Sequence, residues 1–140
     1  MVKKEKPKII ISLGKRKSSV ARAKIKIGSG KVTINSKPIE TWGTEMMRMK
    51  IMEPLILAGN FSKKVDIKVK VVGGGITGQT DATRMAIATG LVEFLKDEEL
   101  KKRFLEYDRN LLVADIRRPE PRKPSRSKKG ARRHKQRSKR

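Results

Sequence analysis

Gly73-Gly74-Gly75-Ile76-Thr77-Gly78 spells G-x-G-x-x-G after a β-patterned run and before a helix-patterned one, where a phosphate-cradling turn belongs. Two features oppose a dinucleotide site. The helix leads into a second helix rather than a parallel strand, and no acid stands at the end of a second strand to hold a ribose. Two readings remain open. The glycines turn the chain closely past a neighbour, or N–H groups at a helix start, with Thr77, Gln79 and Thr80 beside them, accept a phosphate from an RNA backbone. Gly14-Lys15-Arg16-Lys17-Ser18 lacks the earlier glycine of a Walker loop, and its Gly14-Lys15 step is followed by Arg16 rather than Ser or Thr. His134 is the single histidine, and Asp81, Asp108 and Asp115 are scattered along the chain, so no catalytic constellation is expected. The absence of Cys excludes thiolate metal sites, disulfides and a cysteine nucleophile. No cofactor and no metal is expected.

The chemistry that the residue types do support is attraction to a polyanion. Of the 24 residues from Arg117 to Arg140, thirteen are Lys or Arg and only Glu120 opposes them. Such a segment cannot bury enough surface to offset an ordering cost of roughly 1 to 2 kcal/mol per residue. It is expected to be disordered until a polyanion shapes it, with a reach of about 80 Å when extended. Pro119, Pro121 and Pro124 stiffen its root. Residues 1–116 hold 24 basic and 13 acidic residues, so the body is basic as well, and the whole chain carries +23. Each cation seated on a phosphate releases counterions, which makes nucleic acid the expected partner. All five aromatics precede the tail, so phosphates and RNA shape rather than base stacking should dominate recognition. The longest apolar run near the start is Ile9 to Ile11, which predicts a soluble, cytoplasmic protein with no membrane partner.

These residues need elements to hold them. Lys8 to Leu13 reads as a strand entering a basic turn at residues 14–19. Ala21, Ala23, Ile25 and Ile27 alternate with Arg22, Lys24 and Lys26, which predicts a strand with one core face and one face of positive charge. Gly28-Ser29-Gly30 turns the chain into a third strand at residues 31–35, completing an antiparallel meander. The methionine-rich run from Met46 to Leu57 reads as a helical region filling core, broken or kinked at Pro54, with Trp42 as a packing residue. Residues 63–72 form the clearest strand, residues 78–96 the most buried helix, and Asp97 to Tyr107 a charged helix with Leu100, Phe104 and Tyr107 inward. Leu111 to Ile116 returns the chain to the core. The order predicts an α+β, two-layer domain over residues 1–116, carrying residues 117–140 as an extended arm.

Taken together, Gly14-x-Arg16-Lys17-x-Ser19-x-Ala21-Arg22, Gly28-x-Gly30 with Ile34-Asn35, Glu53-Pro54-Leu55, Gly73-Gly74-Gly75-x-x-Gly78-Gln79, Asp115-x-Arg117 and the closing Ser138-Lys139-Arg140 resemble the family of small-subunit ribosomal protein nine. The resemblance spans nearly the whole chain in order. It implies a mostly antiparallel four-stranded sheet packed on helices, with a left-handed β-α-β crossover that general handedness rules disfavour. It implies a structural, non-enzymatic protein bound to ribosomal RNA in the head of the small subunit, beside other small-subunit proteins. Carried over by position, the implied RNA contacts are Lys15, Arg16, Lys17, Arg22, Gly73, Gly74, Gly75, Gln79, Arg117 and Arg118. In the arm they are Arg122, Lys123, Arg126, Lys128, Lys129, Arg132, Arg133, Lys135 and Arg137. Lys139 and Arg140 are the implied contacts to transfer RNA in the peptidyl site. The length of the chain and of the Pro38 to Ala58 segment resembles archaeal members. Arg137 departs from the pattern, since many relatives carry an aromatic residue there. A packaging protein or RNA chaperone with the same tail would instead bind any nucleic acid of equal length.

Overall fold

The computed structural model describes residues 9–123, a five-stranded sheet with three helices on one face. Strand β1 is Ile9–Arg16, β2 Ser19–Ile27, β3 Val32–Ile34, β4 Lys37–Pro38 and β5 Val65–Val72. Helix α1 is Glu45–Ala58, α2 Ile76–Leu95 and α3 Glu98–Tyr107. The expected α+β, two-layer arrangement is present, but the sheet differs from the four-stranded, mostly antiparallel one predicted. It has five strands in the order β1-β2-β5-β3-β4, and β3 runs parallel to β5.

Both differences have local causes. Asn35 and Ser36 take left-handed conformations, at φ 47° and 68°, and reverse the chain in two residues. Lys37-Pro38 therefore pairs back on β3, with Pro38 tolerated because the strand lies at the sheet edge. The meander fails because β5, not β3, occupies the free edge of β2. Asp66 accepts hydrogen bonds from the Ser29 and Lys31 N–H groups, at 2.9 and 3.2 Å, and Gly28 N–H donates to the Lys64 carbonyl at 3.0 Å. These bonds steer the turn past the end of β5, and β3 settles on its far edge. Asn35 then prolongs the ladder with its side chain: its amide donates to the Val71 carbonyl at 3.0 Å and accepts from Val71 N–H at 2.9 Å.

The inward faces of β2 and β5 (Ala21, Ala23, Ile25; Val65, Ile67, Val69, Val71) meet Ala82, Ala86, Ile87 and Leu91 of α2. Small residues set this distance. A Cβ on Gly14 would lie 2.0 Å from the Ala82 carbonyl oxygen, so β1 passes α2 at backbone contact. That explains why β1 runs on through the stretch expected to turn: Gly14 belongs to the buried face, and the turn shrinks to Lys17-Ser18. Ser12 closes the same contact by donating to the Ala86 carbonyl at 2.6 Å.

Helix α2 begins two residues before the expected start, and α3 is capped by Asp97, whose side chain accepts from Glu99 N–H at 2.9 Å. Leu100, Phe104 and Leu111 are buried as expected, whereas Tyr107 and Ile116 face solvent. Helix α1 continues four residues past Pro54, because burying Ile51, Pro54 and Ala58 holds it although the proline forfeits one backbone bond. The expectation of a methionine-filled core is overturned. Met46, Met49 and Met52 are 75%, 57% and 42% exposed, on a helix that lies at the edge of its layer and turns only one side to the domain. Trp42 packs against the core.

Candidate nucleic-acid interface

The sharp end of the β1–β2 hairpin gathers most of the site residues expected in the body. Its two-residue turn places Lys17 at φ 52°, a conformation usual for glycine at the first position of a hairpin turn, and leaves the Lys17 side chain exposed between Arg16 and Ser19. Lys15 projects outward from β1, and Arg22 from β2 one step below.

The glycine loop lies directly on this turn. A Cβ on Gly73 would stand 2.5 Å from the Ser18 carbonyl oxygen, and one on Gly74 2.2 Å from Ser19 Oγ; both glycines have positive φ. Ser19 Oγ donates to the Gly73 carbonyl at 3.0 Å, and Gln79 Nε2 donates to the same oxygen at 3.2 Å. The close-turn reading of the motif therefore accounts for Gly73 and Gly74. Gly75 has open space around its Cα and caps α2 without any side-chain cap or acidic residue in the first turn, so the first N–H groups of this 20-residue helix point outward.

On the other side of the hairpin, Arg16 meets the end of the described chain. Its guanidinium pairs with Asp115, and its Nε lies 3.6 Å from Asp81, which Lys50 also approaches at 3.3 Å. Asp115 accepts again from Arg117, from the backbone N–H at 2.8 Å and from Nη2 at 2.8 Å. Lys15, Arg16, Lys50, Arg84 and Arg117 thus line one cavity of about 200 Å³ together with Asp81, Asp108 and Asp115. The three aspartates that look scattered in sequence converge here, each held by arginine. Arg84 bridges Glu53 of α1 to Asp108 at 2.7 Å; burial opposes its charge, but the two carboxylates more than offset this and raise its affinity for the proton. At Asp108 burial works against ionisation, yet the Arg84 hydrogen bond, Asn110 N–H and nearby cations prevail and hold the carboxyl below its ordinary range. The N–H groups of Ser29 and Lys31, with Lys26, do the same for Asp66.

Arg118, Arg122 and Lys123 are exposed in a stretch without regular structure. Arg126, Lys128, Lys129, Arg132, Arg133, Lys135, Arg137, Lys139 and Arg140 lie outside the described residues. The sequence reading did not single out Lys50 and set Asp81 aside as one of three scattered aspartates; the role of both depends on where α2 passes the hairpin. It left out Lys24, Lys68 and Lys70 as well, although their alternation with buried residues was visible.

Cationic loops gathered at one end of a two-layer α+β domain, with every clustered carboxylate occupied by an arginine, define the class: a small basic domain suited to a polyanionic partner. A family model described as ribosomal protein S9/S16 matches residues 14–140, and the chain belongs to that family. It is 50% identical over 131 residues to small ribosomal subunit protein uS9 of Methanococcus maripaludis strains C7 and C5, covering 94% of this chain and 98% of each relative. It is 48% identical over the same length to the corresponding protein of Methanococcus vannielii. The chain is a structural, non-enzymatic constituent of the small ribosomal subunit, of archaeal type.

Proposed function

We propose that the domain anchors on ribosomal RNA in the head of the small subunit and delivers residues 117–140 as an arm toward transfer RNA in the peptidyl site. The observation that carries this is the Arg16–Asp115–Arg117 clamp, which fastens the root of a segment with thirteen cations to the basic hairpin. Lys15, Lys17, Arg22 and the first N–H groups of α2, which the Gly73 to Gly75 loop leads into, are the body's phosphate contacts, with Gln79 bracing the glycine loop through the Gly73 carbonyl. Arg16 and Arg117 present to RNA the N–H groups that Asp115 leaves free. Arg118, Arg122 and Lys123 begin the arm, and the cations from Arg126 to Arg137 continue it along the RNA. Lys139 and Arg140 reach the transfer RNA. The site of action is the cytoplasm.

The proposal extends to neighbouring small-subunit proteins, supported by the exposed apolar side of α1 at Met46, Met49, Met52 and Ile56. The parallel pairing of β3 with β5, with α1 between them in the chain, makes a β-α-β crossover, for which the proposal takes the left-handed sense that the family resemblance implies. The direct test removes Lys139 and Arg140. Subunits should still assemble, because the other phosphate contacts remain, while transfer RNA binds less tightly in the peptidyl site; unchanged transfer RNA affinity would refute the arm's role.

A further inference from the structure

The sheet has a second surface, opposite the helices, which no element of the described chain covers. Its side chains fall into rows fixed by the register. Ile11, Lys24, Lys68 and Thr33 form one row; Leu13, Arg22 and Lys70 form the next. Arg22 stands directly opposite Lys70, and Lys24 directly opposite Lys68. Like charges at directly paired positions, with Cβ atoms about 4.5 to 5.5 Å apart, destabilise a sheet. The only carboxylate that these strands carry is Asp66, and it is engaged by Lys26 at 3.6 Å and by the two turn N–H groups. The four cations therefore repel one another across the middle of the sheet and border an open trough of about 850 Å³. Beside them on the edge strand, Ile9, Ile11 and Leu13 are 45%, 64% and 51% exposed.

We infer that this open face is a second RNA-docking surface, shaped for the ribose-phosphate backbone of a base-paired segment rather than for unpaired bases. The surface holds no aromatic side chain, so it offers no platform for stacking. A broad sheet instead matches the wide, shallow minor groove of an RNA duplex. Lys24, Lys68 and Lys70 meet phosphates, the aliphatic strip of β1 lies on ribose carbons, and the Thr33 and Ser36 hydroxyls at the trough's far edge meet 2′-hydroxyls. Seating phosphates there removes the repulsion between paired cations, which accounts for like charges standing opposite each other on a sheet.

This inference rests on the proposed binding of ribosomal RNA, and the test separates the two. The triple variant Lys24→Gln, Lys68→Gln, Lys70→Gln in the full chain is compared with the parent for thermal unfolding and for binding a transcript of the small-subunit RNA head from a Methanococcus species, with an unrelated RNA duplex, single-stranded RNA and a DNA duplex as competitors. The variant should melt at a higher temperature, since it loses only repulsion, and yet bind the transcript with a salt slope smaller by roughly 3, at about 0.9 per phosphate. Between 50 and 200 mM salt it should lose roughly 40-fold less affinity than the parent. RNA duplex should compete for the face better than single-stranded RNA or DNA. An unchanged salt slope in a parent that prefers the head transcript overturns the sheet-face site alone, and equal competition by single-stranded RNA overturns the groove assignment. A parent without preference for the head transcript overturns the underlying reading.

Discussion

Arg16, the last residue of the first strand, holds the carboxylate of Asp115, 99 positions further on, and Asp115 in turn receives both the backbone N–H and the guanidinium of Arg117. The start of the fold thereby fixes the point and direction from which the basic segment leaves it. Replacing Asp115 with Ala leaves two guanidinium groups facing each other without their shared acceptor, and only Arg16 keeps a second carboxylate, Asp81. Stability should fall by about 1 to 3 kcal/mol in urea unfolding, the range for losing a partner of charged groups. Transfer RNA contacts of the arm should weaken more than ribosomal RNA affinity. Equal losses of both would mean that Asp115 serves folding alone.

Arg84 ties α1 to the segment after α3 through Glu53 and Asp108 and is largely shielded from water. Arg84→Met should leave two partly exposed carboxylates without a cation and cost about 1 to 3 kcal/mol, the range for losing the partner of a charged group. Arg84→Met,Glu53→Gln,Asp108→Asn should recover much of that loss. The midpoints of urea unfolding for the two variants decide it.

Acid should destabilise the domain through Asp66 and Asp108, both of which hold their protons more weakly folded than unfolded. The sign follows: the stability they add is complete above the unfolded carboxylate value of about 3.9 and is lost as pH falls through their lower folded values. Asp66→Asn and Asp108→Asn should each flatten the stability curve below about pH 4. A curve that keeps the parent's slope in that window would contradict the account.

The glycine run should be divided in its tolerance. Gly73→Ala places a Cβ at positive φ and 2.5 Å from the Ser18 carbonyl oxygen, so it should cost about 1 to 3 kcal/mol. At Gly75, where nothing lies within 4 Å of the added atom, alanine should stay within about 0.5 kcal/mol in thermal or urea unfolding.

Alternation alone made β2 and β5 legible, because Ala21, Ala23 and Ile25 and the four residues Val65, Ile67, Val69 and Val71 are buried with mostly Lys or Arg between them; Ile27, expected on the same core face, is instead 68% exposed at the end of β2. Helices α2 and α3 were legible within two residues of their ends for the same reason. Which strand neighbours which was not, since β3 carries only three residues and its place is set by a distant carboxylate, Asp66, gripping the turn at Ser29 and Lys31. The Asn35-Ser36 dipeptide was the available signal for β4, being a pair that tolerates the left-handed turn. Apolar residues are spread around all sides of helix α1, interspersed with Arg48, Lys50 and Glu53, so its pattern could not say that Met46, Met49 and Met52 would be left outside. In the site, Lys15, Lys17 and the glycines could be read from local spacing, whereas the convergence of Asp81 and Asp115 on Arg16 is a product of the tertiary fold.

Crosslinking in living cells, followed by sequencing of the attached RNA, tests the anchor-and-arm account most directly when the full chain is compared with one ending at Ile116. The account predicts crosslinks concentrated in the head of the small-subunit RNA for both chains, with transfer RNA crosslinks only for the full one. Crosslinks scattered over unrelated RNA and DNA, or transfer RNA crosslinks that survive the truncation, would contradict it.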